Sequence, residues 1–140
     1  MAPAEDLERR PTAFVVVESM FGNTEQVGRV AVCTPAGPQI LPVNYVVDGA
    51  SIVFRTAPYG VLGRHAWHAR IAFEIDDTDV ETKSGWSVLA TGPGELIEDP
   101  DDLAALRAFT DNRPWGPGSR LLYVRLRWDS LTGRRVRGVP

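Results

Sequence analysis

Apolar positions along the chain recur mostly with a period of two and are broken by Gly- and Pro-containing turns, the pattern of short strands rather than of helices. Ala13 to Glu18 is a β-branched run that reads as a strand. Ser19 to Thr24 reads as its turn, with Asn23 or Thr24 placed to cap a brief helix reaching about Arg29. Val27 to Thr34 reads as the next strand and Pro35-Ala36-Gly37-Pro38 as its turn. Gln39 to Val47 and Ser51 to Ala57 are two apolar runs joined at Asp48-Gly49, a hairpin signal. Pro58 to His68 is irregular or helical, with Gly60 and Gly63 weakening any helix. Arg70 to Asp76 is a strand and Thr78 to Gly85 a polar connection. In the long strand Trp86 to Glu98, Gly92-Pro93-Gly94 predicts a bulge or bend.

Asp99-Pro100-Asp101-Asp102 opens a helix: an Asp cap, Pro at the first helical position, and acids at the positive helix end. Leu103, Leu106 and Phe109 give it one apolar stripe. Asn112 to Ser119 is a Pro/Gly loop holding Trp115. Arg120 to Trp128 alternates at Leu122, Val124, Leu126 and Trp128, and Leu131 to Gly138 is a final strand or arm. Six or seven strands with short connections and one clear helix predict a mainly β fold, an antiparallel barrel carrying one or two short helices. A doubly wound parallel sheet needs a crossover helix between most strands, and these connections are too short for that. Residues 1–12 are polar and are expected to be a flexible tail, with residues 13–140 as a single domain.

Composition narrows the classes of function. A net charge of −3 argues against a general nucleic-acid binder. No apolar stretch approaches the ~20 residues that span a bilayer. Met1 to Thr12 lacks the basic-then-apolar layout of a secretory signal, so a cytoplasmic location is expected. The single Cys33 excludes an internal disulfide and is expected as a small buried strand residue. The C-terminal segment carries Arg120, Arg125, Arg127, Arg134, Arg135 and Arg137 against one acid, Asp129, a basic tail suited to an anionic ligand or to a solvated face.

The candidate chemistry sits in the central hairpin. Asn44 interrupts an apolar run, and Arg55-Thr56 closes the second strand with a cation and a hydroxyl. That pair suits a phosphate: Arg supplies a planar fork of donors and Thr adds an O–H. The bland alternatives are a turn or bulge satisfied by Asn44 and an ion pair between Arg55 and Glu74. Trp86 and Trp115 suit core or dimer anchors equally well. His65 and His68 have no acidic or Cys neighbour at ligand spacing, and no nucleophile–base pair can be assembled.

An ordered set of runs carries a family resemblance. They are Gly28-Arg29-Val30-Ala31-Val32, Pro42-Val43-Asn44-Tyr45-Val46-Val47-Asp48-Gly49, Phe54-Arg55-Thr56, Ala72-Phe73-Glu74-Ile75-Asp76, Gly85-Trp86-Ser87-Val88, Trp115-Gly116-Pro117-Gly118 and Leu131-Thr132-Gly133-Arg134-Arg135. In order and spacing the chain resembles the small single-domain members of the pyridoxamine 5'-phosphate oxidase-like FMN-binding split-barrel family. The resemblance implies a six-stranded barrel that forms a homodimer, with a flavin at each of two symmetric interface sites. It places Pro42, Val43, Asn44 and Tyr45 along the isoalloxazine ring, and Arg55 and Thr56 at the phosphate. A second cation, usually Lys, follows in such proteins; here Val61 stands at that place, before Leu62, and Arg64 one turn further is its candidate substitute. Trp86, Ser87, Trp115 and Arg134 are implied to approach the ring from the partner chain.

Phe14 to Glu25 also resembles, over that short stretch, the first strand and phosphate loop of flavodoxin-like domains, although the later βα units of that fold are absent. It reads either as a second phosphate-gripping loop or as an added element covering a barrel edge. The resemblance to the split-barrel family implies an FMN-dependent oxidoreductase acting on a small-molecule redox substrate, without nucleic-acid or membrane partners. The alternatives are a deazaflavin-dependent reductase, a non-enzymatic flavin carrier or sensor, and a barrel kept as a cofactor-free scaffold.

Overall fold

The computed structural model describes residues 4–6, 26–109 and 121–138. Strands β2 (Gln26–Thr34) and β3 (Gly37–Asp48) form the first hairpin, closed at Gly37, whose φ of 116° lies in the region glycine favours. β3 turns into β4 (Ser51–Thr56) with Asp48 opposite Ser51 and Gly49 at φ 59°, so the expected Asp-Gly hairpin is present. A short helix α1 (Val61–His65) leads to β5 (Ala69–Asp79) and β6 (Ser84–Leu96). Helix α2 (Pro100–Phe109) follows, then β7 (Leu122–Arg127) and β8 (Ser130–Val136).

All pairings are antiparallel, and six strands close a ring in the order β6-β5-β2-β3-β4-β7 and back to β6. The mainly β antiparallel barrel with one or two short helices expected from the sequence is therefore the fold, with two helices among the described residues. β8 lies outside the ring on β6, and β1 (Ala4–Asp6) pairs with β8 at Arg134–Val136. Part of the segment expected as a tail thus adds a strand to the exposed edge of β8, where unpaired backbone groups offer a template. The strand expected over Ala13–Glu18 and the flavodoxin-like segment lie outside the described residues.

Inward positions alternate along the strands of the ring. Val30, Val32, Tyr45, Ile52, Phe54, Phe73, Val88, Val124 and Leu126 are all within 2% of full burial, each aliphatic one contributing about 1.5–3 kcal/mol. β3, β4 and β7 are buried on their outer face as well: Val46, Val53 and Tyr123 form a second cluster with Leu106 of α2, and Leu103 and Ile97 pack against it. Two-sided burial explains why these strands read as near-continuous apolar runs. α2 begins as expected, with Asp99 Oδ1 accepting from the backbone N–H of Asp101 (2.8 Å) and Asp102 (3.3 Å).

Four local expectations are corrected. The helix reaching Arg29 is instead strand from Gln26, because pairing with β3 runs from Gln26 opposite Tyr45. The polar connection over Thr78–Gly85 is half strand, with the turn confined to Val80–Lys83: β5 and β6 stay paired out to Asp79 opposite Ser84. Cys33 is exposed, since the alternation that buries Val30 and Val32 turns it to solvent. The bulge lies not in β6 but opposite it. β6 keeps one register with β5 from Ala69–Gly94 to Asp79–Ser84, whereas Arg127, Trp128 and Asp129 face only Gly92 and Pro93. Gly92 is required there because a Cβ would overlap the Arg127 carbonyl oxygen. The step is pinned by the Asp129 N–H donating to Thr91 O at 3.0 Å, and by the guanidinium of Arg70 donating to both carboxylate oxygens of Asp129 at 2.8 Å.

Candidate functional site

β3 and β4 pair only from Tyr45–Phe54 to Asp48–Ser51. Beyond that point they fork. Arg55 and Thr56 follow β7, opposite Tyr123 and Leu122, while Leu41 to Asn44 remain paired with β2. Among the described residues no strand pairs with the other edge of Leu41–Asn44, so the backbone amides and carbonyls of that edge face the fork. A cavity of about 500 Å³ fills it, lined by Val27, Leu41, Pro42, Val43, Asn44, Arg55, Thr56, Ala57, Gly60, Val61, Leu62 and Leu121.

Local packing sets its walls. The Gly60 N–H donates to Ala57 O at 3.2 Å, folding the chain back after Thr56, and Arg64 N–H donates to Gly60 O at 3.2 Å to start α1. A Cβ at Gly63 would overlap the Ala57 carbonyl oxygen, so only glycine lets α1 lie this close to the loop. That approach brings Val61 and Leu62 to the cavity beside Arg55 and Thr56. Arg55 is half-buried and its Nε is shielded from solvent. The proposed ion pair between Arg55 and Glu74 is not formed: Glu74 Oε1 accepts from Arg29 Nη2 at 2.6 Å, and the same nitrogen donates to Asp76 Oδ1 at 2.6 Å. That hydrogen bond to Glu74, against the desolvation of partial burial, raises the Arg29 guanidinium above its ordinary value.

Of the residues singled out in the sequence, Pro42, Val43, Asn44, Arg55, Thr56 and Leu62 line this one cavity. Tyr45 does not. Its side chain is 1% exposed and packs edge-on against Phe73 with ring centroids 4.5 Å apart; burial pushes its phenol well up. The period of two that sends Asn44 to the outer face sends Tyr45 into the core. Arg64 is exposed and does not line the cavity, so it does not take the place of the missing cation. Trp86, Ser87 and Arg134 line a separate cavity of about 480 Å³ at the overhanging end of the β5–β6 hairpin, with Asp76, Asp79 and Lys83. Trp115 lies outside the described residues. Val27 was missed, although its place opposite Asn44 on the outer face follows from strand pairing. Among the described residues no group of His, Cys, Asp and Glu could hold a metal ion, and no helix is long and apolar enough to cross a membrane.

The donor set fits a flavin. Apolar walls from Val27, Leu41, Pro42, Val43, Val61, Leu62 and Leu121 suit a flat heteroaromatic ring, the open β3 edge and Asn44 suit its polar rim, and Arg55 with Thr56 suits an anionic tail. Residues 17–135 match the family described as pyridoxamine 5'-phosphate oxidase. An uncharacterized protein of Mycobacterium tuberculosis is 32% identical over 114 residues, covering 78% of this chain and 74% of that protein. Among solved structures, an FAD binding protein from Mycobacterium smegmatis superposes with TM-score 0.70 and 28% identity, covering 91% of this chain and 95% of that one. A heme binding protein from Mycobacterium smegmatis gives TM-score 0.69 and 26% identity, covering 92% of this chain and 55% of that one. Matched to that family over residues 17–135, most of its length, this chain belongs to the pyridoxamine 5'-phosphate oxidase family.

Proposed function

We propose that the chain is a flavin-dependent oxidoreductase whose ring lies in the β3–β4 fork with its first phosphate at Arg55 and Thr56. The observation that carries this reading is the gathering of an open strand edge, apolar walls and one guanidinium in a single cavity. The FAD-binding relative supports it. A bound flavin supplies hydride and electron transfer with a small-molecule redox substrate. The chain's own part is to hold and orient: β3 amides and carbonyls meet the ring's polar rim, Leu62 and Val43 exclude water, and Arg55 neutralises the anionic tail. Arg55 is the one ionisable side chain among the described lining residues, so proton exchange is not its task. That same feature favours, as a second reading, a flavin carrier or sensor without turnover.

The reading includes a homodimer. Cross-strand pairing puts Pro42, Arg29, Glu74, Leu89 and Thr132 in one row on the outer sheet face. Val27 and Ile40 on β2 and β3, and Leu89 on β6 beyond Glu74, are exposed on it at 62%, 70% and 43%, apolar area of the kind that interfaces cover. Ser87 and Arg134 lie on the same face. A second copy laid on it about a two-fold axis would bring its own Ser87 and Arg134 toward the first copy's fork.

Purified protein tests the proposal. A flavin visible in the absorbance spectrum, identified as FMN, FAD or deazaflavin by mass spectrometry after denaturation, is the expected result, with a dimer mass in solution. Bleaching by reduced nicotinamide under anaerobic conditions separates oxidoreductase from carrier. A chain that binds no flavin in titration removes both readings.

A further inference from the structure

We infer that Arg125 is a positioning residue for the fork: it ties β7 to β3 across β4 and so sets the distance between the cavity's two walls, an inference that rests on the flavin reading above. The walls ride on different neighbours. Arg55 and Thr56 follow β7, whereas Leu41 to Asn44 follow β2. Their separation is therefore fixed where β3, β4 and β7 are last held together, at the closed end of the β3–β4 hairpin.

Arg125 supplies that hold. It stands on β7 opposite Val53 of β4, and its side chain is 13% exposed. Its Nη1 donates to Asp48 Oδ2 on β3 at 2.9 Å and to Ser51 Oγ on β4 at 2.6 Å. Ser51 is buried and donates in turn to the Asp48 backbone carbonyl at 2.6 Å. β3 and β7 are not neighbours in the ring, so the bond to Asp48 bridges the strand between them. It is charge-assisted and largely shielded from water, which makes its geometry strict. The paired stretch runs from Asp48–Ser51 to Tyr45–Phe54, where the fork opens. That is a lever of about 10 Å at roughly 3.4 Å per residue, so a small rotation at the closed end becomes a larger displacement at the mouth.

The test titrates the full chain, freed of bound flavin, with riboflavin, FMN and FAD by fluorescence quenching, and reads amide hydrogen exchange on the flavin-free protein. Arg125→Met keeps aliphatic bulk and leaves Ser51 its bond to the Asp48 carbonyl. It is expected to weaken all three flavins by one common factor, roughly tenfold, because the wall itself is displaced. The visible circular dichroism of the saturated complex should change, and exchange over residues 45–48 and 51–54 should quicken while 71–75 stays as in the wild type. Asp48→Asn keeps the turn signal before Gly49 and should give a smaller loss in the same direction. Arg70→Met is the control: it removes a guanidinium bonded to Asp129 at 2.8 Å, does not touch the cavity lining, and should leave affinity and dichroism unchanged. Wild-type affinity and dichroism in Arg125→Met overturn the inference, as do an equal loss in Arg70→Met or a loss confined to FMN and FAD. Should Arg125→Met fail to fold, Asp48→Asn decides, and wild-type binding and exchange in it overturn the inference. Failure of the wild-type chain to bind any of the three flavins sinks the flavin reading itself and this inference with it.

Discussion

Gly28 lies directly against the ring of Phe73: a Cβ added at position 28 would overlap the ring's Cζ and come within 3.1 Å of Ile75 Cγ2. The ring in turn meets Tyr45 edge-on, and Gly28 stands opposite Val43 in the cavity wall. Core packing and the floor of the fork are thus one contact set. Gly28→Ala is expected to destabilise the fold by about 1–3 kcal/mol through overpacking, read as a lower midpoint in urea with the slope unchanged. Flavin affinity should fall with it, since Val43 cannot hold its place if Phe73 shifts.

Tyr45 makes the fold sensitive to alkali. Burial raises its phenol, so the folded chain keeps the proton where the unfolded chain loses it. Below the ordinary phenol value of about 10 both states are neutral and nothing is lost. Above it the unfolded state releases its proton first, and stability declines as pH rises toward the folded value. Tyr45→Phe is expected to remove this share of the decline. Unfolding midpoints measured across the alkaline range check it; equal slopes for both proteins would contradict it.

Asp99 holds the first turn of α2 through two backbone N–H groups, and α2 in turn covers Val46, Val53 and Tyr123 with Leu106. Asp99→Ala should cost about 1 kcal/mol, whereas Asp99→Asn should cost less because the amide oxygen still accepts. Thermal unfolding of the pair distinguishes loss of the cap from loss of charge.

Arg55→Ala should weaken FMN or FAD binding about 10- to 100-fold, the worth of a charge-assisted hydrogen bond. Riboflavin affinity should change far less. Arg55→Lys should recover only part of the loss, because a point charge replaces a fork. An equal loss for all three ligands would show that Arg55 supports the wall rather than the phosphate.

What was legible in the sequence was local. The hairpin through Asp48-Gly49 and the cap at Asp99-Pro100 each follow from neighbours a few residues apart. Arg55 and Thr56 could be matched to an anion because they end a strand. Alternation alone separates the side chain of Tyr45, in the core, from that of Asn44 on the outer face. At Cys33 phase outweighs residue type: one position past the buried Val32, it faces solvent. The fork itself was not legible, because it arises where β4 leaves β3 for β7, a partner distant in sequence. Nor was the separation of Ser87 and Arg134 from the fork, which depends on the width of the sheet between them.

The extra residue facing Gly92-Pro93 has a reach well beyond its own turn. Val124, Leu126 and Trp128 point inward on even positions, and after it Leu131 points inward on an odd one. Deleting one residue from Arg127–Asp129 would reverse the parity of everything downstream, turning Leu131 to water and driving Thr132 and Arg134 inside. This stretch should therefore be among the places in the chain least able to absorb a change of length, even though much of it is open to solvent.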